Sequence, residues 1–264
     1  MLPSRSVSAI KALGLAVCLA WGSAWAAPVA QVTNLSGPLF ALDAQGARRV
    51  LSIGSQVEPG ETLVTEEKTY AQIRFIDKSL LTLKPGTQFR IEAFAFETEA
   101  PDKDNAVFGL LKGALRKITG LIGKRGNQDA YRMNTPTATI GIRGTGFGAT
   151  LCPGPGCGDL PSGTYVDVFD GQVVMAPPPL PPGIPLPPVV VPPVPLSAGQ
   201  FGFAPPDGPP RQLPADPGVG RGFTPPPSFQ VTQQQLQQAP AGEQPPPPPQ
   251  QRPPAQQQEG CVVR

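Results

Sequence analysis

Tyr70-Ala71-Gln72-Ile73-Arg74-Phe75-Ile76-Asp77-Lys78-Ser79-Leu80-Leu81-Thr82-Leu83-Lys84-Pro85-Gly86-Thr87-Gln88-Phe89-Arg90-Ile91-Glu92 carries short apolar runs separated by turn residues, the pattern of an all-β chain. Ala71, Ile73 and Phe75 alternate with Gln72 and Arg74, the period-two pattern of a strand with one face buried. Asp77-Lys78 turns the chain into Leu80 to Leu83. Pro85-Gly86 then supplies a type II turn, with Pro fixing φ at the first central position and Gly accepting a positive φ at the second. Gln88 to Glu92 alternates again, so three consecutive strands are expected as a meander.

Outward from this stretch the theme repeats. Gly37-Pro38 and Asp43 to Gly46 separate Val29 to Leu35, Leu39 to Leu42 and Arg48 to Leu51, and Pro59-Gly60 separates Ile53 to Val57 from Thr62 to Thr65. Downstream, Asp170-Gly171 lies between Tyr165 to Phe169 and Gln172 to Met175 and reads as a hairpin. Turn signals at roughly ten-residue spacing imply an all-β fold, a small sandwich or roll of short antiparallel strands. Ala106 to Ile122 is less regular. Its apolar residues recur at mixed three and four spacing, but Gly109, Gly113, Gly120 and Gly123 weaken a helix, so a strand followed by a loop or short helix is expected.

Composition divides the chain in two. Of its 38 prolines, ten precede Ala176 and 28 lie from Pro177 to Pro254. Proline lacks a backbone donor and disfavours helix and central strand, so residues 177–264 read as a disordered Pro/Gln-rich tail, a spacer or an anchor. Residues 27–176 are left as the β domain. Residues 1–26 read as a signal peptide: Arg5 and Lys11 form the basic region, Ala12 to Trp21 the apolar run, and Ala24-Trp25-Ala26 the cleavage site. Leu15-Ala16-Val17-Cys18 leaves a lipoprotein alternative open.

Cleavage there changes the electrostatics. The chain has 21 Lys and Arg against 19 Asp and Glu, and losing Arg5 and Lys11 leaves 19 against 19. A neutral exported chain gives no reason to expect nucleic acid as a partner. Arg116-Lys117 and Lys124-Arg125 read as solvated basic positions. The chain has no histidine, which excludes Ser-His-Asp and Cys-His catalysis and His-ligated metal centres. Cys152 and Cys157 flank Pro153-Gly154-Pro155-Gly156, which can reverse the chain and let the two thiols form a disulfide outside the cytoplasm. Cys261 is left over, as a free thiol or an intermolecular bridge.

The segment Met133-Asn134-Thr135-Pro136-Thr137-Ala138-Thr139-Ile140-Gly141-Ile142-Arg143-Gly144-Thr145-Gly146-Phe147 resembles the Thr-Pro-x-Ala and Ile-Arg-Gly-Thr-x-Phe signature of the FecR domain family. Gly60 to Thr65, Ala71 to Ser79 and Val168 to Val173 match further elements in order. The resemblance implies an all-β extracytoplasmic module that signals or binds partners, with no chemistry of its own. Transducers of that family carry a cytoplasmic segment and a spanning helix, where this sequence reads as a cleavable signal. Ferric-citrate sensing is not implied. Of the signature residues, Thr135, Pro136, Ala138, Arg143, Gly144, Thr145 and Phe147 are the expected structural determinants, with Arg143 expected to pin carbonyls or a carboxylate across the sheet.

These readings favour a non-enzymatic periplasmic or secreted module without cofactor or metal, whose partner is an envelope protein or cell-wall component. The alternative is a surface or matrix protein spaced by the tail and cross-linked through Cys261. Catalysis would need two carboxyls converging in a cleft, drawn from Asp77, Asp102, Asp104, Asp129, Asp167 and Asp170. Most of these fall at turns, where solvated acids are ordinary.

Overall fold

A computed structural model describes residues 27–179 and 191–219, together with residues 226 and 229. Fifteen strands run through the described residues in chain order: β1 (Ala30–Leu35), β2 (Leu39–Leu42), β3 (Arg48–Leu51), β4 (Gln56–Val57), β5 (Thr62–Thr65), β6 (Ala71–Phe75), β7 (Leu80–Leu83), β8 (Gln88–Ala95), β9 (Asn105–Ile118), β10 (Tyr131–Asn134), β11 (Thr139–Cys152), β12 (Gly163–Ala176), β13 (Val194–Ser197), β14 (Phe201–Ala204) and β15 (Arg211–Leu213). All belong to one hydrogen-bonded sheet. No helix among the described residues is long and apolar enough to cross a membrane.

Three long strands, β9, β11 and β12, fold this sheet into two layers. The first half of β9 pairs with β8 and, in parallel, with β10; its second half pairs with β7 and β11. Gly113 marks the change of partner: its φ is +84°, and a side chain there would run into the Thr87 backbone. β11 pairs with β10 through Thr139 to Gly141 and with β9 from Gly146 onward, while β12 follows it along both halves. One layer, here layer A, therefore runs β3-β2-β5-β8-β9-β10-β11-β12-β13, and the other, layer B, runs β4-β1-β6-β7-β9-β11-β12-β14-β15. The expected sandwich is formed by one sheet folded over on itself, and β9–β10 is a parallel pair within it.

Alternation explains the core between the layers. Ala71, Ile73 and Phe75 of β6 face inward at 0 to 2% exposure, as do Phe89 and Ile91 of β8 and Ile140 and Ile142 of β11. The Phe75 ring in layer B lies 5.2 Å from Phe94 and 5.4 Å from Phe108 in layer A, so rings from opposite layers interlock. Phe108 also meets Phe89 at 5.3 Å and Tyr131 at 5.6 Å. Each such side chain contributes about 1.5 to 3 kcal/mol by leaving water.

Several expectations change. The meander stops after two strands: β6 pairs with β7, but β8 crosses to layer A and pairs with β5 and β9. The strand expected within 106–122 is present as residues 105–118, because β7, β8, β10 and β11 all offer this segment backbone partners, and a short 3-10 helix follows at Ile122–Lys124. Asp170-Gly171 makes no hairpin. β12 runs straight through it as a bend, since β11 lies alongside both halves, with Arg143 opposite Gln172 and Gly146 opposite Asp170.

Strands also occur beyond Ala176. β13 and β14 run in the same direction, one after the other, antiparallel to β12, with a break at Ala198-Gly199 where Gly199 has φ +82°, and β15 pairs with the far side of β14. Pro195 is accommodated because β13 is an edge strand with one partner. All fifteen strands fall in the compact unit that ends at Phe223. Of the second unit, from Thr224, residues 226 and 229 are described, and Phe229 N–H donates to the Pro226 carbonyl at 2.8 Å. The signal peptide at 1–26, Cys18, Cys261 and most of the Pro/Gln-rich tail lie outside the described residues.

Candidate functional site

The signature segment begins as a tight turn between β10 and β11. The Thr135 N–H donates to the Ala138 carbonyl at 2.8 Å, and the Thr135 hydroxyl accepts from Ala138 N–H at 2.9 Å. Pro136 occupies the exposed corner. Thr164 of β12, wholly buried, reaches across the sandwich: its hydroxyl lies 2.8 Å from that of Thr135 and 2.7 Å from that of Thr137. A buried hydroxyl trio thus joins the turn in layer A to layer B. Ala138 and Phe147, both at 0% exposure, belong to the core.

Downstream the glycines have separate tasks. Gly144 takes φ +59° where β11 changes layers. Thr145 locks the bend: its N–H donates to the Thr119 hydroxyl at 2.7 Å, its carbonyl accepts from Thr119 N–H at 3.0 Å, and its hydroxyl donates to the Asp170 carbonyl. Gly146 and Gly148 are bare because neighbours lie on them. A Cβ on Gly146 would overlap the Phe169 ring, and one on Gly148 would overlap the Asp167 carboxylate. Phe169 in turn carries the Arg116 guanidinium 3.6 Å above its ring. Burial lowers the Arg116 guanidinium and the Lys84 ammonium from their ordinary values, opposed by Asp167; burial likewise raises the Asp167 carboxyl, opposed by Arg116.

Arg143 departs from its expected role. It is exposed and makes no hydrogen bond or ion pair among the described residues. Thr145 and Thr119 hold the bend in its place, because the positive φ at Gly144 turns the backbone, and not the preceding side chain, toward the neighbouring strands.

Lys117 is the residue that sequence reasoning missed. Expected as a solvated base, it has 0% exposure, with Nζ 4.0 Å from the Phe75 ring centroid, 4.3 Å from Phe108 and 5.7 Å from Tyr131. Among the described residues, neither Nζ nor Asp77 Oδ2 has a hydrogen-bond partner. Loss of water pushes the Lys117 ammonium down to about 7, opposed by the Asp77 charge. The same burial holds the Tyr131 phenol well above its usual range. Asp77 itself caps the β6–β7 turn, accepting Ser79 N–H at 3.0 Å. The cluster is sealed and has no room for a substrate.

The other basic and acidic candidates have structural partners. Arg125 donates to Asp104 at 3.0 Å and to the carbonyls of Thr98 and Glu97 at 2.9 and 2.7 Å, and the Asp104 side chain is fully buried. Asp77 and Asp104 are separately engaged, and Asp102, Asp129 and Asp170 are exposed. Asp167 faces Arg116, Lys84 and Asp216 above layer B, in a hollow with room for about one water molecule. Cys152 and Cys157 form the expected disulfide, with Cα atoms 5.6 Å apart. It abuts a small outer cluster with Tyr165 and Phe203.

Residues 61–174 match the family model described as FecR protein. This stretch is a FecR domain. It begins where Glu61 leads into β5 and closes within β12, so β1 to β4 and β13 to β15 complete the sheet from outside the matched range. Two crystal structures of a candidate anti-sigma factor from Parabacteroides distasonis are similar to the chain. One has 12% identity over 60% of this chain and 61% of its own, with TM-score 0.40. The other has 14% identity over 66% and 71%, with TM-score 0.41. The chain thus spans about 61% of the first. No curated protein matches the chain.

Proposed function

We propose that this protein is an exported, non-enzymatic binding and signalling module of the bacterial cell envelope, acting through protein contacts of its β domain. At the level of the family, a FecR domain is a signalling and regulatory module. The observation that carries the reading is how the signature segment is used inside that domain. The hydroxyls of Thr135, Thr137 and Thr145 are bonded within the sheet, and Gly146 and Gly148 are covered by Phe169 and Asp167, so these signature residues serve the fold. Activity is then left to the surface. The Cys152–Cys157 disulfide fits a protein that works in an oxidising compartment.

The test is photo-cross-linking in the producing cell, with photoreactive residues placed at exposed positions of the β domain. Discrete adducts with one recurrent partner support the reading. A chain that is exported, oxidised at Cys152 and Cys157, and free of adducts at every position contradicts it.

A further inference from the structure

Layer A has an outer face that the described residues leave open. Its outward positions follow from alternation: Arg90 and Glu92 on β8, Gly109 on β9, Arg132 and Asn134 on β10, and Gly141 and Arg143 on β11, each opposite to buried neighbours such as Phe89, Ile91, Phe108, Tyr131, Met133, Ile140 and Ile142. The registers place three of these on a diagonal. Arg90 is level with Gly109, which is level with Asn134; Arg132 is level with Gly141, and Arg143 lies two residues further along β11.

With strands about 4.8 Å apart and alternate residues about 6.8 Å apart along a strand, the Arg132 and Arg143 Cα atoms are about 8 Å apart and those of Arg90 and Arg132 about 12 Å apart. All three arginines are exposed, and none makes a hydrogen bond, ion pair or ring contact among the described residues. This sets them apart from Arg48, Arg49, Arg116, Arg125 and Arg211, each of which lies on a carboxylate or a ring. Gly109 is covered by the Glu92 side chain, whose Oε1 would lie 2.8 Å from a Cβ there, whereas Gly141 keeps the surface beside Arg132 low. A Cβ on Gly141 would meet nothing nearer than 3.7 Å.

We propose that the diagonal Arg90–Arg132–Arg143 is a docking surface for an acidic polypeptide segment of a partner. The inference rests on the reading of the chain as a protein-contact module and names the chemistry of what it contacts. Guanidinium forks match carboxylates in a bidentate manner, and an extended strand presents side chains on one face every ~6.8 Å, a spacing that long arginine arms can follow across a flat sheet. Charge complementarity selects the polypeptide over a dense polyanion. Glu92 is exposed on the same face, held by Asn134 Nδ2 at 3.0 Å, and its carboxylate interrupts the positive stripe. A chain of closely spaced phosphates would be forced against it, whereas a peptide can place a neutral or basic residue there.

The experiment measures binding of the full exported chain to poly-L-glutamate at low and high salt. Inorganic polyphosphate is the competing probe. The Arg90→Gln/Arg132→Gln/Arg143→Gln variant is compared with a charge-matched Lys68→Gln/Lys78→Gln/Lys103→Gln control drawn from exposed lysines elsewhere. The expected result is salt-sensitive binding of poly-L-glutamate that falls about tenfold or more in the arginine variant and is retained in the control. Equal loss in both variants, no binding by the wild-type chain, or binding of polyphosphate alone would overturn the proposal. Circular dichroism spectra checking that the variants are folded keep the comparison valid. Cross-links in the cell that form from other faces of the β domain and never from positions 90, 132 or 143 would sink this surface while leaving the contact-module reading intact.

Discussion

The ammonium of Lys117 lies 4.0 Å from the centroid of the Phe75 ring, inside a sandwich whose core is a cluster of apolar side chains. Phe75 comes from β6 in layer B, Phe108 from the part of β9 in layer A and Tyr131 from β10, so one cation sits where the two layers close. A desolvated charge in that position costs stability, and the rings and Asp77 offset only part of it.

Stability should therefore depend on pH through Lys117. Its folded-state pKa of about 7 lies below the ordinary 10.5, so between these values the unfolded chain holds the proton and the folded chain releases it. Stability is then greatest above the unfolded value and is lost as pH falls toward the folded one. Chemical denaturation from pH 7 to 9.5 should show stability rising by up to about 1.4 kcal/mol per pH unit. The Tyr131 phenol, held high by burial, stays protonated in that window. Lys117→Met should flatten the profile and stabilise the protein at pH 7 by about 1 to 4 kcal/mol. An unchanged slope in the variant would show that another group titrates.

The glycines of β11 should separate by position. Gly146→Ala and Gly148→Ala force a methyl against Phe169 and Asp167, and each should cost about 1 to 3 kcal/mol. Gly141→Ala meets open space, with Val174 O at 3.7 Å, and should be neutral or slightly stabilising. Thermal denaturation of the three variants side by side checks the ranking.

Arg125→Met should be costly for a different reason. It strips the partner from the fully buried Asp104 side chain and from two loop carbonyls, for a loss of about 3 kcal/mol or more. Asp104→Asn with Arg125→Met, measured in a double-mutant cycle, should recover part of that loss, because the uncompensated charge is gone.

What the sequence made legible follows from the range of the interactions. Ala71 to Phe75 could be read because alternation over five residues already specifies a half-buried strand, and the Cys152–Cys157 bridge because its turn is local. Asp170-Gly171 misled because a dipeptide that favours reversal was overruled by β11 pairing with both sides of it. β13 to β15 were hidden in a proline-rich composition, though Val194–Ser197 and Phe201–Ala204 flank a Gly199 turn. Lys117 was invisible for a longer-range reason. Its parity with Leu115 along β9 points it inward, but only the folding of the sheet brings Phe75, from 42 positions earlier, and Tyr131 around it. Arg143 stood out in the signature, and the strand that exposes it also sets it beside Arg132.

The claim that this FecR domain works through protein contacts is tested most directly by photo-cross-linking in the cell from positions 90, 132 and 143 and from control positions 53 and 76, exposed in turns away from the arginine diagonal. The expected result is a discrete adduct of one protein partner from the arginine diagonal and none from the controls. A chain that is exported and carries its Cys152–Cys157 disulfide, yet gives no adduct from these five positions or from any other exposed position of the β domain, would contradict it.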